Sequence, residues 1–354
     1  MTTRRKQLLT VAVLIAVSTV LVYLLLAQIY QLPVSASAEA QSIDTMFTAH
    51  FIIIAFLFSL VAVFVLYSVF RFRRQEGDDA DGTHFHGNTT LEILWTIVPL
   101  VMVVAFGVWG AFVLNDITEA RPNEMVVNVT GQRFVWSFEY PDYPDVGPTQ
   151  ELVLPVDQPV RLRMNSIDVL HSFWVPEFRV KQDLVPGQET NLLVTPSETG
   201  DYQVRCAEIC GGGHHSMRAP VQVVSQSEFD QWVQEQTVSL ANLSPAERGE
   251  QWYTEFGCNG CHSVDGSDGV GPTWLGLLGR QEQFDDGSTA TADEAYIRES
   301  ILMPNAKVVS GYPQGVMPGD YEERFAARES ELAEQGIEVD ILAELIAYIQ
   351  TLEE

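Results

Sequence analysis

Three long uncharged apolar runs, Leu8 to Ala27, Phe51 to Phe70 and Ile93 to Leu114, constrain this chain before anything else does. Each is about the ~20 residues that a helix needs to cross a ~30 Å hydrocarbon core. Buried helices of soluble proteins are seldom apolar on every face for that length, so the second and third runs read as membrane spans. The first follows Arg4-Arg5-Lys6 and precedes Ala36-Ser37-Ala38, the layout of a signal peptide. Its apolar stretch exceeds the ~7–15 residues usual for one, which favours an uncleaved helix. Basic residues mark the cytoplasmic side of such helices. Arg4, Arg5 and Lys6 flank the first run and Arg71, Arg73 and Arg74 close the second, which places the loop 71–92 inside and everything after Leu114 outside. Neither of the two later runs holds an Asp, Glu, His, Lys or Arg, so neither offers a proton relay.

Charge follows the same division. The net charge of −27 splits into −1 up to Asn115, −7 from 116 to 225 and −19 beyond. A field of that sign repels nucleic acid and steers a basic partner protein; it also suits a solvated surface in a salty medium. Between 121 and 225, short β-rich runs punctuated by Pro, Gly and Asp predict a sandwich or barrel, with strands at Met125–Val129, Phe134–Phe138, Glu151–Leu154, Val160–Met164, Thr190–Val194 and Tyr202–Arg205. Ser227 to Gln236 predicts a short helix before a polar linker. Ser244-Pro245-Ala246-Glu247 then combines an N-cap serine, a proline in the first turn and a capping-box glutamate. The chain closes on an amphipathic helix, with Ile341, Leu342, Leu345, Ile346, Ile349 and Leu352 at helical spacing. The acidic stretch Gly319 to Gly336 before it has no assignable role.

All four cysteines belong to two metal signatures. The first is Cys206-Ala-Glu-Ile-Cys210-Gly-Gly-Gly-His214-His215-Ser-Met217. Soft thiolates with imidazole and a weak thioether suit electron-transfer copper, and two thiolates with three residues between them can bridge two copper ions. Each copper then needs an imidazole. His214 offers one. His171 is the only other histidine outside the membrane region, this loop and the second signature. Met217 and the backbone carbonyl of Glu208 are candidates for the weak outer ligands, and His215 reads as an exposed loop residue. A disulfide between Cys206 and Cys210 would leave the histidine and methionine unused, and a zinc site would waste the methionine.

The second signature is Cys258-Asn-Gly-Cys261-His262, the spacing of covalent haem attachment with the histidine as proximal ligand. No histidine follows His262, so the second axial ligand falls to Met303 or Met317. Met317, 55 residues beyond His262, leaves room for an enclosing fold and is preferred; Met303 is expected to pack or shield. His84 and His86 read as members of a solvated turn, and His50 as an interfacial residue.

From Met125 to Val224 the chain resembles subunit II of the haem-copper cytochrome c oxidases. The resemblance rests on Cys206–Met217 with Arg218-Ala-Pro-Val, on Asp168-Val-Leu-His171 through Val180-Lys-Gln-Asp183-Leu-Val-Pro-Gly187, and on Leu91-Glu-Ile-Leu-Trp-Thr-Ile-Val-Pro99 in the preceding hairpin. It implies a cupredoxin-like domain with a dinuclear copper A centre, and a magnesium ion held by the Glu208 side chain at the contact with subunit I. That family commonly places a tryptophan for electron uptake where this chain has Phe134; Trp136 matches a second aromatic of the segment. Phe134 and Trp136 are therefore electron-path candidates, although ordinary strand packing explains each equally well. Gly271-Pro-Thr-Trp-Leu-Gly-Leu resembles the haem-lining stretch of class I cytochromes c, and the order of modules resembles the caa3-type oxidases.

The resemblance implies a multidomain membrane protein. Residues 1–40 form an N-terminal transmembrane helix or signal sequence, 41–120 a transmembrane helical hairpin and 121–225 an all-β cupredoxin-like copper A domain. Residues 226–243 form a linker, and 244–354 an all-α class I cytochrome c domain. It further implies the subunit that feeds electrons into a terminal oxidase of a bacterial plasma membrane, with both redox domains on the outer side. Electrons would pass from an external donor (a soluble cytochrome c, a cupredoxin or a quinol-oxidising complex) through haem c and copper A to subunit I, which reduces oxygen and pumps protons. Subunit III is a further expected partner. The rival readings are the copper A subunit of a nitric oxide reductase, a membrane-anchored copper delivery protein, which leaves the haem unexplained, and a haem peroxidase, which would want an open haem position that Met317 fills.

Overall fold

Segment lengths and caps decide where the first helices begin and end. The structure, a computed structural model, describes residues 3–353 other than 75, 78–83, 85, 145, 237–239, 268 and 335. Helix α1 runs Thr3–Ile29, α2 Ala38–Arg71 and α3 Thr89–Thr118, and all three are long and apolar enough to cross a membrane. Helix α2 starts thirteen residues before its apolar run, because Ser37 caps it by accepting from Ala40 N. Its 34 residues span about 51 Å, so roughly its first four turns extend past a ~30 Å hydrocarbon layer. This start also moves the expected boundary at residue 40 inside the helix. Ser18 Oγ donates to Ser59 Oγ at 3.0 Å between α1 and α2, and the His50 ring meets Phe106 of α3 at 4.2 Å. The remaining helix surface is exposed and apolar, as lipid-facing helices require. His84 and His86 are exposed, and most of the loop around them lies outside the described residues.

Residues Met1–Glu119 and Ala120–Glu354 are two separate compact units. The second begins as a β-sandwich. One sheet has four strands in the order β2 (Val135–Glu139), β1 (Met125–Gln132), β4 (Val160–Ser166), β7 (Thr190–Val194). The other has five, in the order β3 (Leu152–Pro155), β9 (Arg218–Val224), β8 (Gly200–Cys206), β5 (His171–Trp174), β6 (Lys181–Leu184). β1 and β4 pair in parallel and alternate buried with half-exposed residues, so Val127, Val129, Leu162 and Met164 face the core. Tyr140 pins the β2 end to β3, donating to Val153 O at 3.0 Å and accepting from Val153 N at 2.8 Å. Helix α4 (Gln226–Gln236) follows as predicted and packs Phe229 and Trp232 on Tyr140. The middle of the expected linker, 237–239, lies outside the described residues.

The C-terminal region is helical but not wholly so. Helix α5 (Pro245–Glu255) starts at the predicted capping box, with Glu247 N donating to Ser244 Oγ and Ser244 N to Glu247 Oε2. A hairpin of β10 (Gln281–Gln283) and β11 (Thr289–Thr291) precedes α6 (Glu294–Leu302), which corrects the all-helical expectation. Its strands are too short and polar to announce themselves, and the turn is made by Gly287 at φ +81° with Ser288 N bonded to Asp286 Oδ1. The acidic stretch becomes α7 (Tyr321–Glu334), with Tyr321, Phe325 and Leu332 buried. Helix α8 (Ile341–Thr351) crosses α5 at Gly249, where a Cβ would stand 2.1 Å from Glu344 O. The buried Glu344 carboxylate ties the crossing together, accepting from Arg248 Nε at 2.9 Å and Trp252 Nε1 at 2.7 Å.

Candidate metal centres

The first centre forms where strand ends meet. β5 opens on His171 and β8 closes on Cys206, and the two strands pair with Phe173 opposite Cys206. Backbone bonds then fold the loop back on itself: Ala207 N to Ser172 O, Cys206 N to Met217 O and His214 N to Gly211 O. This places His171 Nδ1 3.9 Å from Cys206 Sγ, and Cys206 Sγ 3.8 Å from Cys210 Sγ. Cys210 Sγ in turn lies 3.7 Å from His214 Nδ1 and 3.7 Å from Met217 Sδ. Two atoms bound to one ion at ~2.1–2.3 Å and tetrahedral angles stand ~3.6 Å apart, so these separations fit shared metal ligands. The Glu208 carbonyl oxygen lies 3.1 Å from Cys206 Sγ, as a backbone ligand would. The Glu208 side chain and His215 are exposed. Two thiols, two imidazoles and a thioether form a soft set that suits copper.

Asp168 was only part of a motif in the sequence, and the structure gives it a task. Its Oδ1 bonds His171 Nε2 at 2.8 Å, orienting the ring so that Nδ1 faces the sulfurs. Asp168 also accepts from Arg133 N at 2.8 Å, Arg133 Nε at 3.1 Å and Val169 N at 2.7 Å. Burial works against this carboxylate, but its bond to His171 and the backbone donors outweigh burial and hold it well below the usual range. Burial likewise opposes the charged form of His171, and the Asp168 bond overcomes it, so the imidazole is raised. Cys206 is lowered because its contact with His171 outweighs burial, whereas burial and the neighbouring Cys206 raise Cys210. A carboxylate three residues before a ligand histidine was the available sequence signal.

The second centre is a cleft walled by helices. Cys258–Gly260 forms a single tight turn, and His262 N closes it onto Cys258 O at 2.9 Å. His262 Nδ1 donates to Pro272 O at 2.8 Å, which leaves Nε2 as the free ring nitrogen. Burial depresses His262, keeping the imidazole neutral, and pushes the thiols of Cys258 up to about 12 and Cys261 up to about 11. The cleft has two lobes, and Cys261, His262, Trp274, Ile301 and Met317 line both. A Cβ at Gly271 would stand 2.6 Å from His262 Cε1, so the stretch beside the histidine has to be bare backbone. An apolar cleft with one oriented imidazole, a thioether, the buried Cys258 thiol and the half-buried Cys261 thiol fits a covalently held haem. Met303 is 57% exposed and lies outside the cleft.

Phe134 and Trp136 separate clearly. Trp136 is fully buried and meets the His171 ring edge-on at 6.2 Å, beneath the copper ligands. Phe134 lies between the two signature loops. Its ring packs on the first, where Cβ atoms at Gly213 and Gly211 would stand 2.4 and 3.1 Å from it. Its backbone packs on the second, where a Cβ at Gly260 would stand 3.1 Å from Phe134 N.

Residues 147–224 match the family described as cytochrome c oxidase subunit II, periplasmic domain, and residues 25–112 match its transmembrane domain. The chain is 32% identical over 249 residues to cytochrome c oxidase subunit 2 of Synechocystis sp., covering 57% of this chain and 74% of the relative. It is 33% identical over 285 residues to the protein of the same name from Alkalihalophilus pseudofirmus, covering 74% and 80% respectively. The crystal structure of the periplasmic domain of subunit II of cytochrome oxidase from Bradyrhizobium japonicum is 29% identical, with a TM-score of 0.31, and covers 33% of this chain and 96% of that one.

Proposed function

The chain belongs to the cytochrome c oxidase subunit II family, and from that premise we propose that it carries electrons through two centres in series, haem c and then dinuclear copper A. As a member of that family it is a membrane-anchored component of an oxidoreductase complex and a partner of subunit I. The observation that carries the copper reading is the run of neighbouring donor atoms His171, Cys206, Cys210, His214 and Met217, each within 3.9 Å of the next sulfur. Cys206, Cys210, His171 and His214, with Met217 and the Glu208 carbonyl, would hold the copper, which would supply one-electron transfer there. The exposed Glu208 carboxylate is the proposed magnesium ligand at the subunit I contact.

Cys258, Cys261, His262 and Met317 would hold the haem, the two cysteines covalently. The Pro272 carbonyl holds the His262 ring, and the apolar walls exclude water, which together with methionine ligation raises the potential. When bound, each group exchanges one electron without making or breaking a bond to the protein. The Alkalihalophilus pseudofirmus relative covers 74% of this chain, more than residues 1–225 account for, which supports a shared C-terminal module of the caa3 kind. The proposed domain limits keep those expected from sequence, except that the first boundary is set at Ala38, the start of α2. The basic flanks at Arg4–Lys6 and Arg71–Arg74 support an outer-side location for both centres in a bacterial plasma membrane. An external donor, such as a soluble cytochrome c, a cupredoxin or a quinol-oxidising complex, and subunit III complete the assembly.

Oxygen uptake by the native complex, purified through a tag on this chain and supplied with an artificial donor, tests the assignment. Rapid cyanide-sensitive uptake is expected. An intact, reducible complex that takes up no oxygen and consumes nitric oxide instead would overturn it.

A further inference from the structure

Helix α7, the acidic stretch to which sequence assigned no role, sends its two arginines toward the seam between the β-sandwich and the C-terminal helices. Arg324 Nη2 donates to Gln132 Oε1 of β1 at 3.0 Å, and Gln132 Nε2 donates to Phe256 O, two residues before Cys258, at 3.2 Å. The Arg324 guanidinium is fixed over the rings of Phe256 and Tyr321, at 5.4 and 5.1 Å. A second tie stands apart from α7: Gln150 Nε2 donates to Thr254 O and to Asn259 Oδ1, both at 2.9 Å. Between these ties the Cys258–His262 turn lies flat on residues 132–135, so close that a Cβ at Gly257 would stand 2.8 Å from Val135 Cγ1.

We propose that Arg324 and Gln132 form a latch, with α7 as its arm, that holds the Cys258–His262 turn against Phe134 and so fixes the contact across which the two centres exchange electrons. The latch rests on the haem and copper reading above. One electron crosses per event, oxidising ferrous haem to ferric and reducing the oxidised copper pair, with no proton or bond exchanged; the external donor restores the haem. Arg324 and Gln132 are positioning residues. A latched contact makes transfer independent of solvent viscosity and salt, whereas a tethered module that must dock for each event depends on both.

The test uses the full complex with Arg324→Gln and, separately, Gln132→Met, which leaves α7 and the haem module untouched. Amide exchange in 131–136 and 256–261 is expected to speed up about tenfold in either variant, as loss of one charge-assisted hydrogen bond implies, with the core of α8 unchanged. Flash-induced electron transfer from haem to copper should slow and become dependent on viscosity, with both absorption spectra intact. Unchanged exchange and unchanged, viscosity-independent transfer in both haem-loaded variants would overturn the latch alone. A wild-type chain that carries no covalent haem would overturn the underlying reading and the latch with it.

Discussion

The loops proposed to hold copper and haem are both short and cysteine-bearing, yet they are held by opposite kinds of surroundings. Copper ligands come from strand ends far apart in sequence, His171 and Cys206 among them, and a polar network centred on Asp168 orients them. The ligand set exists because the sheet exists. Of the residues proposed for the haem, Cys258, Cys261 and His262 lie within one five-residue stretch, one hydrogen bond to Pro272 orients the histidine, and most of the remaining wall is apolar. Here the surroundings need the group at least as much as the group needs them, because an unfilled apolar cleft forfeits its packing. A site built on a prior scaffold should survive loss of its metal, and a site that doubles as a core should not.

The sharpest way to break this comparison is to empty each centre in turn. Cys258→Ser with Cys261→Ser should abolish covalent haem completely, read as loss of haem staining on a denaturing gel. It should also lower the melting of the C-terminal module by roughly 6–12 °C, from ~3 kcal/mol of lost packing at ~2–4 °C per kcal/mol. Copper removal by a chelator should shift the sandwich far less. Equal shifts would mean that the copper loop is as much a core as the haem cleft. Next in size, Gly249→Ala should destabilise the haem module by about 1–3 kcal/mol in denaturant titration, because the added Cβ meets Glu344 O and Tyr348 Cβ at the α5–α8 crossing. Copper content should not change.

The two regions were also unequally legible in sequence. Helical elements announced themselves locally: the capping box at Ser244, the spacing from Ile341 to Leu352 and the apolar spans all mark real helices. The metal loops were visible because cysteine, histidine and methionine cluster within twelve residues or fewer. Strands β5, β6 and β9, which carry or border the copper ligands, were not predicted. β5 and β6 are four residues long, and β9 contains a proline, so their identity is set by pairing partners and not by local pattern. Arg324 and Gln132 were silent for the same reason, since their importance lies in contacts 192 and 124 positions away.

The polar support of the copper centre yields a smaller and more specific effect. Asp168→Asn keeps a group able to bond His171 but removes the charge that favours the oriented imidazole, and it weakens the anchor for Arg133. Copper affinity should fall roughly tenfold, toward the lower end of the ~10–100-fold typical for such outer partners, measured by competition with a chelator. Haem attachment should be unaffected; a loss of haem in this variant would show that the two centres share one scaffold.

The smallest expected effect lies at the seam between the two regions. Glu255, at the end of α5, is half-buried, which pushes its carboxyl up; its ion pair with Arg328 at 2.8 Å offsets part of that rise, and the charge of Glu139 of β2 adds to it. The balance raises its carboxyl to about 7. A carboxyl whose folded value lies above its unfolded value contributes stability that is fully present at low pH, below the unfolded value, and is lost as pH rises through the folded one. Wild-type melting should therefore fall, relative to Glu255→Gln, between about pH 5 and pH 8, by a few degrees at ~2–4 °C per kcal/mol. The variant should match wild type at pH 5 and exceed it at pH 8. The opposite order would mean that the Arg328 ion pair outweighs burial, and that charge attraction strengthens the seam between the copper and haem regions as pH rises.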